Sequence, residues 1–286
     1  MTENINQSFC ALEVKKSDYY RYLCCLFIPE SLRWRAFAIY AFNSEIAKIK
    51  DVVSEPMMGH IRLQWWRDAI DEIYSGNSPK KHKHNISEEL YKVISEVKVP
   101  KHFFETLIDA READIDFTGY ETIENIEEYL SSTSSTLLKM LIVSMGFALD
   151  ENIEKMANNV GIAYALTGIL RALKHDAHHR RIMLPKNLLD KNGINSDEII
   201  EGKKLEKVIP IIEEMCGRVE LNLAEAKSLM PKIPKQISFI FLPLAIVYPF
   251  LKRIKKTNYD IFGNDIEIGK LTMQLTIFKA AVFARV

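Results

Sequence analysis

The stretch Gly168-Ile-Leu-Arg-Ala-Leu-Lys-His-Asp-Ala-His-His-Arg-Arg-Ile-Met-Leu-Pro185 concentrates more chemistry than any other part of this chain. Ile162, Leu166, Ile169, Leu173 and Asp176 recur at spacings of four, three, four and three, the period of one helix face, so an apolar stripe ends in a carboxylate. Asp176 is therefore expected at the mouth of whatever the stripe lines. His178, His179, Arg180 and Arg181 follow, and Pro185, with no backbone N–H to donate, makes continuation of the helix unfavourable. A buried stripe opening onto cations is the arrangement of an anion's entrance.

The same period runs outward in both directions. Residues 18–28 give a short aromatic-rich helix, after which Pro29 suits a first helical position and Glu30 complements the helix dipole. The stripe Leu32, Ala36, Ile39, Asn43, Ile46, Lys50, Val53 predicts one long helix whose core face is interrupted by Asn43 and Lys50, polar groups that need partners or a purpose there. Helical patterns recur at 61–74, 87–97, 103–117, 121–145, 151–176, 205–229, 237–254 and 268–283. The run Ser131-Ser-Thr-Ser-Ser-Thr136 puts small residues inside one of them, where another helix or a ligand can approach closely. Residues 75–85 read as a solvated loop, with His82 and His84 on the surface. No strand pair with period-two alternation and turn chemistry occurs. The expectation is an all-α protein: a polar segment over 1–16, then a single domain of about ten helices over 17–286.

Lys plus Arg equals Asp plus Glu at 38 each, so no global field draws the chain to nucleic acid, and recognition of charge must come from local clusters. Cys10, Cys24, Cys25 and Cys216 lack metal-ligand spacing and read as buried reduced thiols. The first residues have neither a charged n-region nor an apolar h-region, and no uninterrupted apolar run reaches the roughly 18 to 20 residues that span a bilayer. A cytoplasmic protein is expected, with any membrane contact peripheral.

Four segments in order resemble the squalene/phytoene synthase family of head-to-head prenyltransferases. They are Pro29-Glu-Ser-Leu-Arg-Trp-Arg-Ala-Phe-Ala-Ile-Tyr-Ala-Phe42; Arg62-Leu-Gln-Trp-Trp-Arg-Asp-Ala-Ile70; Leu107-Ile-Asp-Ala-Arg-Glu-Ala-Asp114 with Gly119-Tyr-Glu-Thr122; and Ile169-Leu-Arg171 with Arg181-Ile-Met-Leu-Pro185. The resemblance implies an isoprenoid synthase-like bundle around a central cavity for two prenyl diphosphates. Two aspartate-rich helices there hold Mg²⁺, whose charge stabilises the departing diphosphate. It further implies that Asn43, Ala47, Lys50, Ser135, Gly168 and Ala172 line the cavity.

The aspartate motifs depart from the family's. Where the second has Arg-Asp-x-x-x-Asp, this chain has Arg171-Ala172-Leu-Lys-His-Asp176, and no register of the first leaves a complete pair. The candidate metal set reduces to Asp51, Glu55 and Asp176, with Asp51 and Glu55 four apart as on one helix face. Lys174 and His175 arrive instead, so Arg171, Lys174, Arg180 and Arg181 become candidates to hold a diphosphate, or another isoprenoid or acidic lipid head, without metal. The plainer alternative is a solvated basic helix end that complements the dipole. Within the family the chain most resembles the branch of the mitochondrial respiratory complex I assembly factor. This likeness rests on 42–55, on Thr133-Ser-Ser-Thr-Leu-Leu138 and on Tyr259-Asp-Ile-Phe262. It implies a non-catalytic or altered member with respiratory complex subunits as partners; the alternative is an active prenyltransferase using Mg²⁺.

Overall fold

The structure is a computed structural model and describes residues 5–283. Fifteen α-helices are formed among them: α1 Phe9–Ser17, α2 Tyr19–Cys25, α3 Glu30–Ala47, α4 Ile49–Val52, α5 Pro56–Tyr74, α6 Asn85–Glu96, α7 Lys101–Ile115, α8 Ile123–Leu130, α9 Thr136–Ser144, α10 Glu151–His178, α11 Lys186–Lys191, α12 Ser196–Ile200, α13 Ile209–Leu229, α14 Leu244–Lys256 and α15 Lys270–Phe283. The all-α reading of the sequence holds, with no strand among the described residues. The count exceeds ten because two long patterns break and several short helices sit in stretches that read as polar or irregular. Residues 9–17 are one of these: Cys10, Ala11 and Val14 of α1 are buried against α3.

Helix α10 is the central element. Its buried residues include Met156, Ala157, Val160, Ala163, Leu166, Leu170 and Leu173; α13 and α14 pack on it, as do α8, α9 and the turn between them. From α9 the packing passes to α3, which carries α1 and α6, while α5 pairs with α7. Phe42 of α3 anchors this second layer, with ring centroids 5.3 Å from Trp66 and 5.4 Å from Phe104. The four cysteines are free and buried, and burial pushes the Cys10 thiol up to about 12.

The two breaks have local causes. Helix α3 closes at Ala47, where the Lys48 N–H turns back to the Ser44 and Ile46 carbonyls, and α4 lasts only four residues. Pro56 then starts α5 at its first position and confines Glu55 to extended backbone at φ −124°, ψ 134°. The second break is a π-helical turn over Ser131–Ser135, in which side-chain hydroxyls satisfy loosened carbonyls: Thr133 Oγ1 donates to Tyr129 O at 2.9 Å and Thr136 Oγ1 to Ser131 O at 3.1 Å. Small residues are needed here because α10 crosses at Gly161. A Cβ on that glycine would stand 2.6 Å from the Ser135 backbone.

Residues 75–85 are more structured than a solvated loop, and His82 and His84 are half-buried rather than surface residues. His82 Nδ1 lies 3.0 Å from Glu72 Oε2 with its ring edge-on to Trp65, and His84 caps α6 by accepting from the Ile86 N–H. Trp65 and Trp66 supply the surface on which these rings pack. No single helix among the described residues is long and apolar enough to cross a membrane. The bent pair Lys235–Phe241 and Leu244–Lys256, 41° apart, passes by length and composition, but Ile237, Phe241, Leu244, Val247 and Phe250 are buried in the core.

Two outcomes are expected from this packing. Gly161→Ala forces α10 away from the π-turn and costs about 1–3 kcal/mol in chemical denaturation, as over-packing of a tight contact does. Glu72 is held down to about 2 by the backbone N–H of Lys80, with further donors from His82 and Lys81. A folded-state pKa below the ordinary 4.5 means that its stabilisation is complete above 4.5 and is lost as pH falls toward about 2. An acid titration of Glu72→Gln should therefore show a shallower loss of stability across that window than the parent chain.

Candidate anion-binding cavity

Two adjoining cavities lie against the face of α10 that the opening stripe marks. The smaller, about 240 Å³, is lined by Asn43, Ala47 and Lys50 from the α3–α4 arm, Arg111 and Asp114 from α7, Tyr129 from α8, and Gly168, Ala172 and Asp176 from α10. Thr133 and Ser134 of the π-turn and Arg181 complete its wall. The larger, about 480 Å³, lies toward α2 and is lined by Asp18, Tyr19, Tyr20, Tyr164, Arg171 and Lys270 among others. The two share Arg21, Ala165 and Gly168.

The wall of the smaller cavity is built on one buried carboxylate. Asp114, with its side chain 2 % exposed, receives Arg111 at 3.0 Å on Oδ2 and Arg181 at 2.5 Å on Oδ1. The Tyr129 hydroxyl donates to the same carboxylate at 2.8 and 2.9 Å; burial pushes this phenol upward, so it stays protonated and able to donate. Arg111 also donates to Asn43 Oδ1 at 3.3 Å, so the polar interruption on the core face of α3 has its partner. Helix α7 places Arg111 and Asp114 three residues apart on one face.

Arg181 reaches this group through the way α10 ends. The Arg180 backbone enters the left-handed region at φ 57°, which lets the Arg181 N–H return to the Asp176 carbonyl at 2.9 Å and turns the chain back over the cavity. Pairing of Lys186 N–H with Tyr120 O at 3.0 Å then fastens the returning segment beside α7. The Arg181 guanidinium lies over Phe117 at 3.9 Å and also donates to the Asp114 carbonyl at 3.0 Å. Four cationic side chains, Arg21, Lys50, Arg111 and Arg181, thus face two carboxylates, Asp114 and Asp176, across the smaller cavity. Arg21 pairs with Asp18 at 3.4 Å and Lys50 with Asp51 at 2.6 Å, so the uncompensated positive charge at the wall is the one that Arg111 and Arg181 leave over their shared Asp114, a guanidinium in a partly dry site that suits an anion.

The four cations singled out in the sequence do not converge. Arg181 faces the smaller cavity, while Arg171 faces the larger, stacked over Phe250 at 4.0 Å with its Nε buried and without a hydrogen-bond partner. Lys174 and Arg180 sit on the exposed helix end, where Lys174 donates to Phe262 O at 3.1 Å and Arg180 lies 3.3 Å from Asp197. Of the six expected lining positions, Asn43, Ala47, Lys50, Gly168 and Ala172 border the smaller cavity. Ser135 is turned away: its hydroxyl donates to Asn158 O at 3.1 Å, because α10 presses on it at Gly161, and Thr133 and Ser134 face the cavity instead.

The metal candidates are scattered as well. Because the helix breaks at Val53, Asp51 and Glu55 share no helical face; Asp51 is 61 % exposed and pairs with Lys50 at 2.6 Å, and Glu55 is exposed at the start of α5. Asp176 is left as a single carboxylate, 3.3 Å from His175 Nδ1. No group of three or more His, Cys, Asp or Glu able to hold a metal ion occurs among the described residues. A metal–diphosphate clamp, which needs several hard oxygen donors converging on each ion, does not fit this set.

Ala172 and Asp176 fall one helical turn apart on the same cavity wall, the two positions to which the resemblance assigns the second aspartate pair. The squalene/phytoene synthase family model matches residues 14–274. The chain belongs to that family. In sequence it is 29 % identical over 270 residues to the NADH dehydrogenase (ubiquinone) complex I assembly factor 6 of Bos taurus, covering 94 % of this chain and 80 % of that one. The homologue of that factor in Drosophila melanogaster is 30 % identical over 254 residues, covering 87 % and 75 %. The chloroplastic phytoene synthase of Daucus carota is 24 % identical over 275 residues, covering 92 % and 67 %. In structure the chain resembles a dehydrosqualene synthase in complex with ligand, at TM-score 0.81 and 20 % identity over 97 % of this chain and 95 % of the other. It also resembles the squalene synthase HpnC of Alicyclobacillus acidocaldarius, at TM-score 0.77 and 18 % identity over 87 % and 93 %. These likenesses to solved structures concern the fold.

Arg111, Asp114, Tyr129 and Arg21 were not among the sequence candidates. The visible signal was a charged pair three apart inside an apolar helical pattern, which reads equally well as a solvated face. Asp114→Ala is expected to destabilise the chain by about 3–5 kcal/mol in denaturant unfolding, because it strands two guanidinium groups in the interior. Asp51→Ala, at an exposed pair, should change stability by less than about 1 kcal/mol.

Proposed function

We propose that this squalene/phytoene synthase-family chain serves in the assembly of a respiratory membrane complex and does not condense prenyl diphosphates. The observation that carries the reading is that Ala172 lines the cavity one turn from Asp176, where the resemblance drawn from the sequence implies a first carboxylate. The remaining carboxylates give a metal little to bind. Asp114 is saturated by two arginines and a tyrosine, and Asp51 and Glu55 are exposed on either side of a helix break. Support for the assembly role comes from the relatives named as complex I assembly factors, which align over most of this chain. On this reading the partners are subunits of the respiratory complex, and the chain acts in the cytoplasm beside the membrane that carries them. The cavity takes an anionic head group, such as that of an isoprenoid or another lipid.

Incubation with radiolabelled farnesyl or geranylgeranyl diphosphate, with and without Mg²⁺, should give no metal-dependent release of diphosphate. Release that requires Mg²⁺ and disappears in Asp176→Ala would establish the prenyltransferase alternative. In a deletion strain, complex I activity should fall several-fold and be restored by Asp176→Ala as well as by the parent chain; unchanged activity on deletion would remove the assembly role.

A further inference from the structure

Helix α15 leaves an apolar ridge uncovered. Its inner face, Met273, Ile277 and Ala280, closes a small second core with Cys24, Leu242, Ala245, Ile246 and Phe250. On the opposite side Leu271, Leu275, Phe278 and Val282 are 69, 50, 53 and 55 % exposed. Their spacings of four, three and four confine them to an arc of about 60° over a length of about 17 Å. Four large apolar side chains in register on one solvent-facing ridge differ from the scattered exposed residues of ordinary surfaces.

The two helices at the ridge carry charge of one sign, although Lys255 is paired with Glu220 of α13 and the segment between the helices holds Asp260, Asp265 and Glu267. Helices α14 and α15 together carry Lys252, Arg253, Lys255, Lys256, Lys270 and Lys279 and contain no Asp or Glu. Between the two helices runs a groove of about 530 Å³ with Ala245, Tyr248, Pro249 and Ala280 in its lining and Lys252 and Lys279 beside them. Neither lysine has an ion-pair or hydrogen-bond partner among the described residues. A convex apolar ridge flanked by free ammonium groups fits a layer of apolar chains beneath a layer of anions better than it fits a folded partner's pocket.

We propose that the outer face of α15, with the α14–α15 groove beside it, docks on an anionic phospholipid surface. Leu271, Leu275, Phe278 and Val282 enter the headgroup–acyl boundary, and Lys252 and Lys279 take phosphate oxygens. The helix lies along the surface, since its inner face is committed to the core.

The test is co-sedimentation of the full chain with vesicles of phosphatidylcholine alone or mixed with phosphatidylglycerol, at low and high salt. Binding should require the anionic lipid and weaken with salt. Leu275→Glu with Phe278→Glu should abolish it, while Lys252→Gln with Lys279→Gln, which spares the ridge, should weaken it about tenfold or more. Leu221→Glu, at an exposed apolar residue on α13, should leave it unchanged, and thermal unfolding of each variant checks that the fold persists. The proposal is overturned if the parent chain ignores anionic vesicles, or if both double variants bind as it does. It is equally overturned if the ridge instead holds a dimer, seen as a parent dimer in light scattering that becomes a monomer in Leu275→Glu with Phe278→Glu while vesicles stay unbound. The vesicles hold no respiratory subunits, so failure here leaves the assembly reading standing, and failure of that reading leaves this one.

Discussion

The carboxylate of Asp114 is the point on which the site depends. It lies in the interior, where an isolated charge is costly to desolvate, and it is tolerated because Arg111, Arg181 and Tyr129 converge on its two oxygens. Three segments distant in sequence meet there: α7 supplies the carboxylate and one arginine, α8 the tyrosine, and the turn after α10 the second arginine. Asn43 of α3 joins through Arg111. The group therefore fixes the segment after α10 over the cavity, and it leaves one guanidinium's charge uncompensated at the wall.

A second constraint is steric. The π-turn at Ser131–Ser135 and Gly161 of α10 approach so closely that neither helix can carry bulk at the crossing. This crossing decides which hydroxyls of the Ser-Thr run face the cavity: Ser135 is pressed against α10, and Thr133 and Ser134 look inward. The extra residue of the π-turn rotates the following face of the helix relative to an uninterrupted α-helix. A count by 3.6 from either end therefore misplaces the residues in between.

That rotation explains much of what the sequence did and did not disclose. Period alone located α10 and the helical class, because long apolar stripes average out local irregularity; Leu166, Ile169 and Leu173 are buried as their spacing requires. The stripe through Asn43 and Lys50 likewise brought both to the cavity, although the helix carrying them breaks at Lys48. Break points were less visible, since Lys48 carries no glycine or proline signal; the supposed pairing of Asp51 with Glu55 failed at the next break, at Val53, where Pro56 starts a new helix and holds Glu55 extended. Cations were the hardest to place. Arg171, Lys174, Arg180 and Arg181 are close in sequence, yet they diverge around a helix end whose turn is set by a non-glycine residue at positive φ. Asp114 and Arg181, by contrast, are 67 positions apart and meet only through the tertiary fold.

The charge pattern bears on why the loss of one aspartate matters beyond the loss of one ligand. In a metal-dependent site, carboxylates hold divalent ions and the ions hold phosphate, so several carboxylates must converge on each ion. Here Arg21 and Lys50 are paired with Asp18 and Asp51, and Arg111 and Arg181 share the saturated Asp114, so one guanidinium charge stands uncompensated beside the lone Asp176. Restoring Ala172 to aspartate would supply a second carboxylate one turn from Asp176. It would still leave Arg21, Arg111 and Arg181 in the field that an incoming divalent ion must cross. On the proposed reading, the guanidinium charge left over at Asp114 would meet an anion directly, by hydrogen bonds that need no ion between. Position 172 and the arginine wall thus favour the same occupant, and reversal of the substitution alone does not rebuild the metal site.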